Sequence, residues 1–217
     1  MQEDLITIKD LGFIDYPTGL KVQEHYKDLV RQNIIKGAFL LLEHKPVYTL
    51  GKKDKNPEGY YSYLKKIAEI YSVDRGGDIT FHGPGQLVCY PILNLYYWQQ
   101  DLHLYLMALE EVIIKLLKNY NITAGRKYKY TGVWVNNEKI CSIGIACKNW
   151  ITWHGLALNV DVDLDYFNYI VPCGIKDFGV TSLKKTGIKT TVDEIKSQLI
   201  PIIKEVFHFD TYYSTMA

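Results

Sequence analysis

The chain has four cysteines, and their surroundings differ. Cys89 and Cys141 fall inside apolar, strand-like runs, where a thiol packs as a small hydrophobe. Cys173 stands in an irregular segment, Val171-Pro-Cys-Gly-Ile175, and is the best candidate for a nucleophile. A thiol near its free pKa of about 8.5 is mostly protonated at neutral pH, so a reactive one requires a cation beside it. His82, His154 and Lys139 are the candidate partners. Lys139 opens the run Lys139-Ile-Cys-Ser-Ile-Gly144; held there it would be partly desolvated and able to exchange protons. The competing expectation is a lysine at a hairpin tip, in water. His154, between Trp153 and Gly155, reads as a core histidine bonded to backbone. Spacing alone leaves a Cys/His hydrolase and a Cys/Lys acyl-transferring enzyme both open.

A second constellation is Arg75-Gly-Gly-Asp-Ile-Thr-Phe-His-Gly-Pro-Gly-Gln86, in which five of twelve residues are Gly or Pro. Glycine lets the backbone reach φ > 0 and approach a ligand closely, and Pro84 fixes the turn between two such glycines. A solvated linker would be Gly/Ser-rich and would not set Arg75, Thr80, His82 and Gln86 between its flexible points. A tight turn between strands is the minimal reading, and the Arg and His favour a shaped ligand site.

The elements that must position these residues are legible as follows. Leu5–Ile8 is an opening strand, and Pro17 starts a helix whose apolar spacing continues to Ile35 before Gly37. Ala38-Phe-Leu-Leu-Leu42 has the continuous apolar character of a strand covered on both faces. Val47–Leu50 resumes a β-like run, and residues 51–59 read as a mobile, lysine-bearing loop. Gln86–Leu95 is a buried strand. Asp101 caps a helix to about Asn119, with Leu102, Leu106, Leu109, Ile113 and Leu116 as its stripe. Gly132–Val135 and Lys139–Ala146 flank Asn136-Asn137 as a hairpin, and Trp150–Val160 is a further strand. Asp163–Tyr169 is a short helical turn. Thr191 and Glu194 form a capping box for a helix to Phe207, in which Pro201 introduces a kink. Consecutive hairpins with three longer helices predict a mixed α/β fold of the α+β type, and the lack of βαβ alternation disfavours a doubly wound sheet.

Composition narrows the function. A chain of 217 residues fits one domain, and a net charge of +1 gives no reason to expect nucleic acid or an anionic membrane as partner. No apolar run approaches the ~20 residues that cross a bilayer. The acidic N-terminus resembles neither a secretory signal nor a transit peptide, so the expectation is a soluble, cytoplasmic protein with reduced thiols. Cys141, Cys147 and His154 match no common zinc spacing, and neither a phosphate-binding loop nor a strand-linked G-x-G-x-x-G is present. No metal and no cofactor are expected.

Arg75–Gln86, Lys139–Gly144, His154-Gly-Leu-Ala-Leu-Asn159 and Pro172-Cys-Gly-Ile175, in this order and spacing, resemble the octanoyltransferase family (lipoyl(octanoyl) transferases, lipoate–protein ligase B). The resemblance extends from Leu42–Gly51 to Val180–Leu183. It implies a single acyltransferase catalytic domain over residues 1–217 with the fold shared by biotin and lipoate protein ligases. It also implies transfer of an octanoyl group from octanoyl-acyl carrier protein to a lysine of lipoyl domains, in 2-oxoacid dehydrogenase complexes and the glycine cleavage H protein. On this match Cys173 carries the acyl thioester and Lys139 activates it. Substrate would be bound by Arg75, Gly76, Gly77, Asp78, Ile79, Thr80, Phe81 and His82, by Ser142, Ile143 and Gly144, and by Gly155, Leu156 and Ala157. Two positions depart from the family: Phe81 stands where Tyr is frequent, and Thr131 where Pro is common. The alternatives are an ATP-dependent lipoate or biotin ligase of the same fold, and a non-catalytic binder of lipoyl domains or acyl carrier protein. Such partners are typically acidic, which makes Lys52, Lys53 and Lys55 docking candidates.

Overall fold

The run Ala38–Leu42 lacks alternation because both of its faces are covered. Phe39 and Leu41 pack into one core, and Ala38, Leu40 and Leu42 into another. The computed structural model describes residues 6–54, 62–170 and 178–208, and the backbone of 211–215. In chain order the elements are β1 (Ile6–Ile14), α1 (Tyr16–Arg31), β2 (Gly37–His44), β3 (Val47–Leu50), β4 (Glu69–Ser72), β5 (Thr80–His82) and β6 (Gln86–Leu93). They continue with α2 (Leu102–Lys118), β7 (Ala124–Lys127), β8 (Tyr130–Val135), β9 (Glu138–Lys148), β10 (Ile151–Asn159), β11 (Gly179–Val180), α3 (Val192–Phe207) and β12 (Thr211–Thr215).

The large sheet runs β12-β1-β2-β6-β10-β9-β8-β7, with β11 pairing to β9, and a small sheet runs β4-β3-β5. Helices α2 and α3 cover one face of the large sheet, burying Leu109, Ile113, Leu116, Leu199 and Ile203 against Leu87, Cys89 and Leu158. Helix α1 covers the other face, with Tyr26 and Val30 against Leu40, Val88 and Ile92. The mixed α/β class expected from the sequence is what forms. Among the described residues, no helix is long and apolar enough to cross a membrane.

Helix termini follow local chemistry. Asp101 Oδ1 accepts the His103 and Leu104 N–H groups, and Thr191 and Glu194 close a full capping box. Helix α1 stops at Arg31, short of Ile35, because Asn33 takes a left-handed φ of 56°. With Asn33 in that conformation, Ile34 N–H bonds back to the Leu29 carbonyl and Asn33 N–H to Val30, a Schellman closure. On α2, Leu102 is 38% exposed, since it begins the helix outside the packed turns; the inward line is Tyr105, Leu109, Val112, Ile113 and Leu116. Pro201 lies inside α3 without ending it. Asn136, at φ 53°, makes the turn of the β8–β9 hairpin.

Candidate active site

The register of β9 on β10 places two sequence motifs side by side. Ser142 pairs with Ala157, Ile143 with Leu156, Gly144 with Gly155 and Ile145 with His154. The other edge of β10 pairs with β6, setting Leu156 against Cys89 and Ala157 against Val88. The glycine-rich stretch closes over this floor, where Gly76 N–H donates to the Ile145 carbonyl at 2.8 Å. Arg75 clasps the stretch to β3: its Nη2 donates to the Thr49 carbonyl at 2.7 Å and to Thr49 Oγ1 at 2.9 Å. Residues 51–54 of the expected mobile loop are pinned behind the same stretch, with Lys52 N–H on the Arg75 carbonyl and Lys53 N–H on that of Gly77. Lys55 lies outside the described residues.

The result is a cleft of about 470 Å³ counted out into its mouth. It brings together Arg75, Gly76, Gly77, Thr80 and His82 with Ser142, Ile143 and Gly144, and with Gly155, Leu156 and Ala157. Asp78, Ile79 and Phe81 are not in its lining. Strand alternation sends Thr80 and His82 to the cleft and Phe81 to the opposite side, where its ring stacks on Tyr166 at 4.3 Å. Ile79 joins that same apolar cluster, and Asp78 Oδ1 caps the Ile79 N–H. Tyr16, Val88, Tyr90 and His154 also line the cleft and were not foreseen as its walls. Val88 and Tyr90 belong to a continuous apolar run that reads as core, and His154 heads a motif but reads as a core histidine.

The polar groups are held in fixed protonation states. Gln86 Nε2 donates to Asn159 Oδ1 and to the Phe81 carbonyl, so Gln86 Oε1 is the acceptor for His82 Nδ1–H at 2.8 Å. Asn159 Nδ2 in turn donates to the Thr181 carbonyl, and Thr181 N–H to that of Lys139. Burial, with His44 and Arg75 nearby, holds His82 down to about 3, so its ring is neutral. Burial likewise holds His44 down to about 4; its Nδ1–H donates to the Ile14 carbonyl, and its Nε2 accepts the Tyr90 hydroxyl at 2.7 Å. Thr80 Oγ1 is buried and has no hydrogen-bond partner among the described residues.

His154 is not a plain core histidine. Its backbone has φ 56°, inside a strand, and its N–H is held by Gln23 Oε1 at 2.9 Å. Its Nε2–H meets Asp74 Oδ1 at 2.8 Å, an oxygen that also accepts the Trp153 indole N–H. Burial lowers the His154 pKa although Asp74 opposes it. Burial would raise Asp74, but the His154 and Trp153 bonds outweigh it and keep that carboxyl below the usual range.

Lys139 is 5% exposed, which overturns the expectation of a hairpin-tip lysine in water. Its Nζ donates to the Thr131 carbonyl at 3.2 Å and lies 4.9 Å from the centre of the Trp134 ring. It does not line the cleft described above. Pro172, Cys173, Gly174 and Ile175 lie outside the described residues. The Phe178 ring packs 5.5 Å from that of Trp134, and β11 pairs Val180 with Lys139.

This sheet topology defines a class of protein. A lipoate-protein ligase A structure with bound ATP superposes with a TM-score of 0.76, covering 100% of this chain and 90% of that one at 15% identity. The bipartite lipoate protein ligase of Thermoplasma acidophilum, solved with its E2 lipoyl domain, gives 0.74, covering 100% and 88% at 17% identity. At those identities the likeness is one of fold, the lipoate and biotin ligase fold. The model of the lipoyl protein ligase A/B catalytic domain matches residues 15–204. The octanoyltransferase of Caldanaerobacter subterraneus subsp. tengcongensis is 52% identical over 200 residues, 91% of this chain and 88% of that protein. The chain belongs to the lipoyl protein ligase A/B catalytic domain family, among its octanoyltransferases.

Proposed function

We propose that this chain moves an octanoyl group from octanoyl-acyl carrier protein to a lysine of a lipoyl domain, through a thioester on Cys173. The observation that carries the proposal is the buried lysine at the head of β9. Lys139 is held on the strand that supplies the cleft floor, and it pairs with Val180, seven positions after Cys173 in the sequence.

An ammonium beside Cys173 favours the thiolate. That thiolate attacks the carbonyl carbon of the octanoyl thioester, the carrier sulfur leaves, and Lys139 supplies its proton. Exchange of one thioester for another is nearly isoenergetic, so this half-reaction needs no ATP. The acceptor lysine amine then attacks the acyl-Cys173 carbonyl. Its proton passes to the now neutral Lys139, the amide forms, and Cys173 leaves as thiolate. The apolar walls Val88, Ile143 and Leu156 suit an alkyl chain, and the buried Thr80 hydroxyl is a donor for a carbonyl oxygen. Backbone N–H groups near Gly76, Gly77 and Gly144 are the candidates for holding the tetrahedral oxyanion. One catalytic domain over residues 1–217 accounts for these steps.

Incubation with octanoyl-acyl carrier protein in the absence of ATP, followed by intact mass, tests the reading. One octanoyl adduct is expected, lost in Cys173→Ala and discharged by a lipoyl domain. Octanoylation of the lipoyl domain that takes place only from free octanoate with ATP would make the chain a ligase. Neither an adduct nor an octanoylated lipoyl domain under either condition would leave only a binding role.

A further inference from the structure

The peptide unit between Thr131 and Gly132 is held from both ends by opposite charges. Its C=O accepts the Lys139 ammonium at 3.2 Å. Its N–H donates to Glu110 Oε1, on α2, at 2.9 Å. A peptide is planar and trans, so fixing its N–H fixes the direction of its C=O. We infer that Glu110 is a positioning residue for acyl transfer, which aims the Thr131 carbonyl at Lys139 and so fixes the ammonium in place. The inference rests on the reading that Lys139 acts on Cys173.

Glu110 is out of place as mere packing. It is 7% exposed on a helix whose neighbouring inward positions are Leu109, Val112 and Ile113. A buried carboxylate is costly unless its oxygens are bonded. Here both are: Oε2 accepts Arg126 Nε–H at 3.0 Å, and Arg126 is itself held by the Met107 carbonyl and Glu111.

The strand it grips is irregular at that point. The β8–β9 register shifts between Val133 and Trp134, and Gly132 has φ 126°, a conformation that disfavours any side chain. A Cβ there would lie 2.6 Å from the Cys141 carbonyl oxygen and 3.4 Å from Lys139 Cε, so the backbone at Gly132 sits directly against the Lys139 stem. Opposite charges at the two ends of one peptide also polarise it, strengthening both hydrogen bonds. Burial holds the Cys141 thiol pKa up in the same corner, with Lys139 drawing it down and Glu110 adding to the rise.

Two substitutions separate position from charge. Glu110→Gln removes the charge and keeps one oxygen for the buried Gly132 N–H. Its amide NH2 then faces Arg126, which is 36% exposed and retains Glu111 as its partner. Glu110→Asp keeps the charge and withdraws it by one methylene. The readout is the pH midpoint of Cys173 alkylation by iodoacetamide, followed at the Cys173 peptide by mass, alongside octanoyl transfer and thermal unfolding. Glu110→Asp is expected to raise the midpoint and slow transfer by about tenfold or more. Glu110→Gln should stay within about threefold of the parent. In a Lys139→Met background neither should move the midpoint further.

Equal damage from both substitutions, an unchanged Glu110→Asp, or a shift that persists in Lys139→Met would each overturn the assignment of Glu110. If Lys139→Met itself leaves the midpoint where it was, the role of Lys139 falls first and the positioning role with it.

Discussion

Gly144 and Gly155 face each other across the β9–β10 ladder, and each has its missing side chain replaced by backbone from a different element. A Cβ on Gly155 would collide with the Cys89 carbonyl oxygen and the Pro91 ring of β6. One on Gly144 would lie 2.8 Å from the Gly76 carbonyl oxygen and 3.2 Å from Arg75 Cδ. The sheet is therefore tight under Gly155, and the cleft wall is tight over Gly144.

The two positions should fail differently. Gly155→Ala strikes paired backbone in the sheet and should lower stability by about 2–4 kcal/mol, measured by urea unfolding. Gly144→Ala strikes the Arg75–Gly77 wall, so it should cost only about 1 kcal/mol in stability while raising KM for octanoyl-acyl carrier protein about tenfold. Identical losses in both variants would show that the wall is as rigid as the sheet.

The buried neutral histidines predict an acid-sensitive fold. Folding lowers the pKa of His44 from 6.5 to about 4 and that of His82 from 6.5 to about 3. Between those limits the unfolded chain binds more protons, so stability is complete above pH 6.5 and is lost as the pH falls through the window. Each histidine contributes about 1.4 kcal/mol per pH unit to that slope. Unfolding in urea from pH 7.5 to 4.5 should show the decline, with a shallower slope in His44→Gln. A flat profile would mean that neither ring is buried neutral.

Local chemistry was readable before the fold was known, and long-range partnership was not. The Asp101 cap, the Thr191–Glu194 box and the Asn136 turn are each decided within four residues, and all form as expected. The motifs named the cleft walls, but a contiguous stretch hides strand alternation. Thr80 and His82 face the cleft while Phe81 stacks on Tyr166. Glu110 gave no signal, since an acidic residue on a helix is ordinary until Gly132, 22 positions later, is seen to donate to it. The Arg75 clasp on Thr49 and the parallel pairing of β12 with β1 were hidden for the same reason.

Lys52 and Lys53 hang on the backbone that forms the cleft wall, and both side chains are exposed. Attraction of an acidic carrier protein to them would act mainly on encounter rate and be screened by salt. Charge reversal at both positions should raise KM for octanoyl-acyl carrier protein about three- to tenfold at low ionic strength, and less at 0.5 M salt, with kcat preserved. An unchanged KM in steady-state assays at low salt would remove the loop from the docking surface.

The hydrogen-bond chain from His82 through Gln86 and Asn159 to Thr181 joins the cleft to the strand paired with Lys139. Every group in it is buried, and the Gln86 amide nitrogen donates to Asn159 Oδ1 and the Phe81 carbonyl, which leaves Gln86 Oε1 as the acceptor. The chain therefore has one direction and His82 one tautomer, with Nδ1 protonated. Gln86→Leu leaves both His82 Nδ1–H and Asn159 Oδ1 without their partner. Stranded buried groups cost about 1–3 kcal/mol each, so a loss of about 2–5 kcal/mol is expected in urea unfolding. Asn159→Leu strands the Gln86 amide and the Thr181 carbonyl at similar cost. Because the two substitutions cut one chain, the double variant should lose less than the sum of the single losses. Strict additivity in that cycle would mean that the four groups are separate bonds and that nothing at His82 is transmitted toward Lys139.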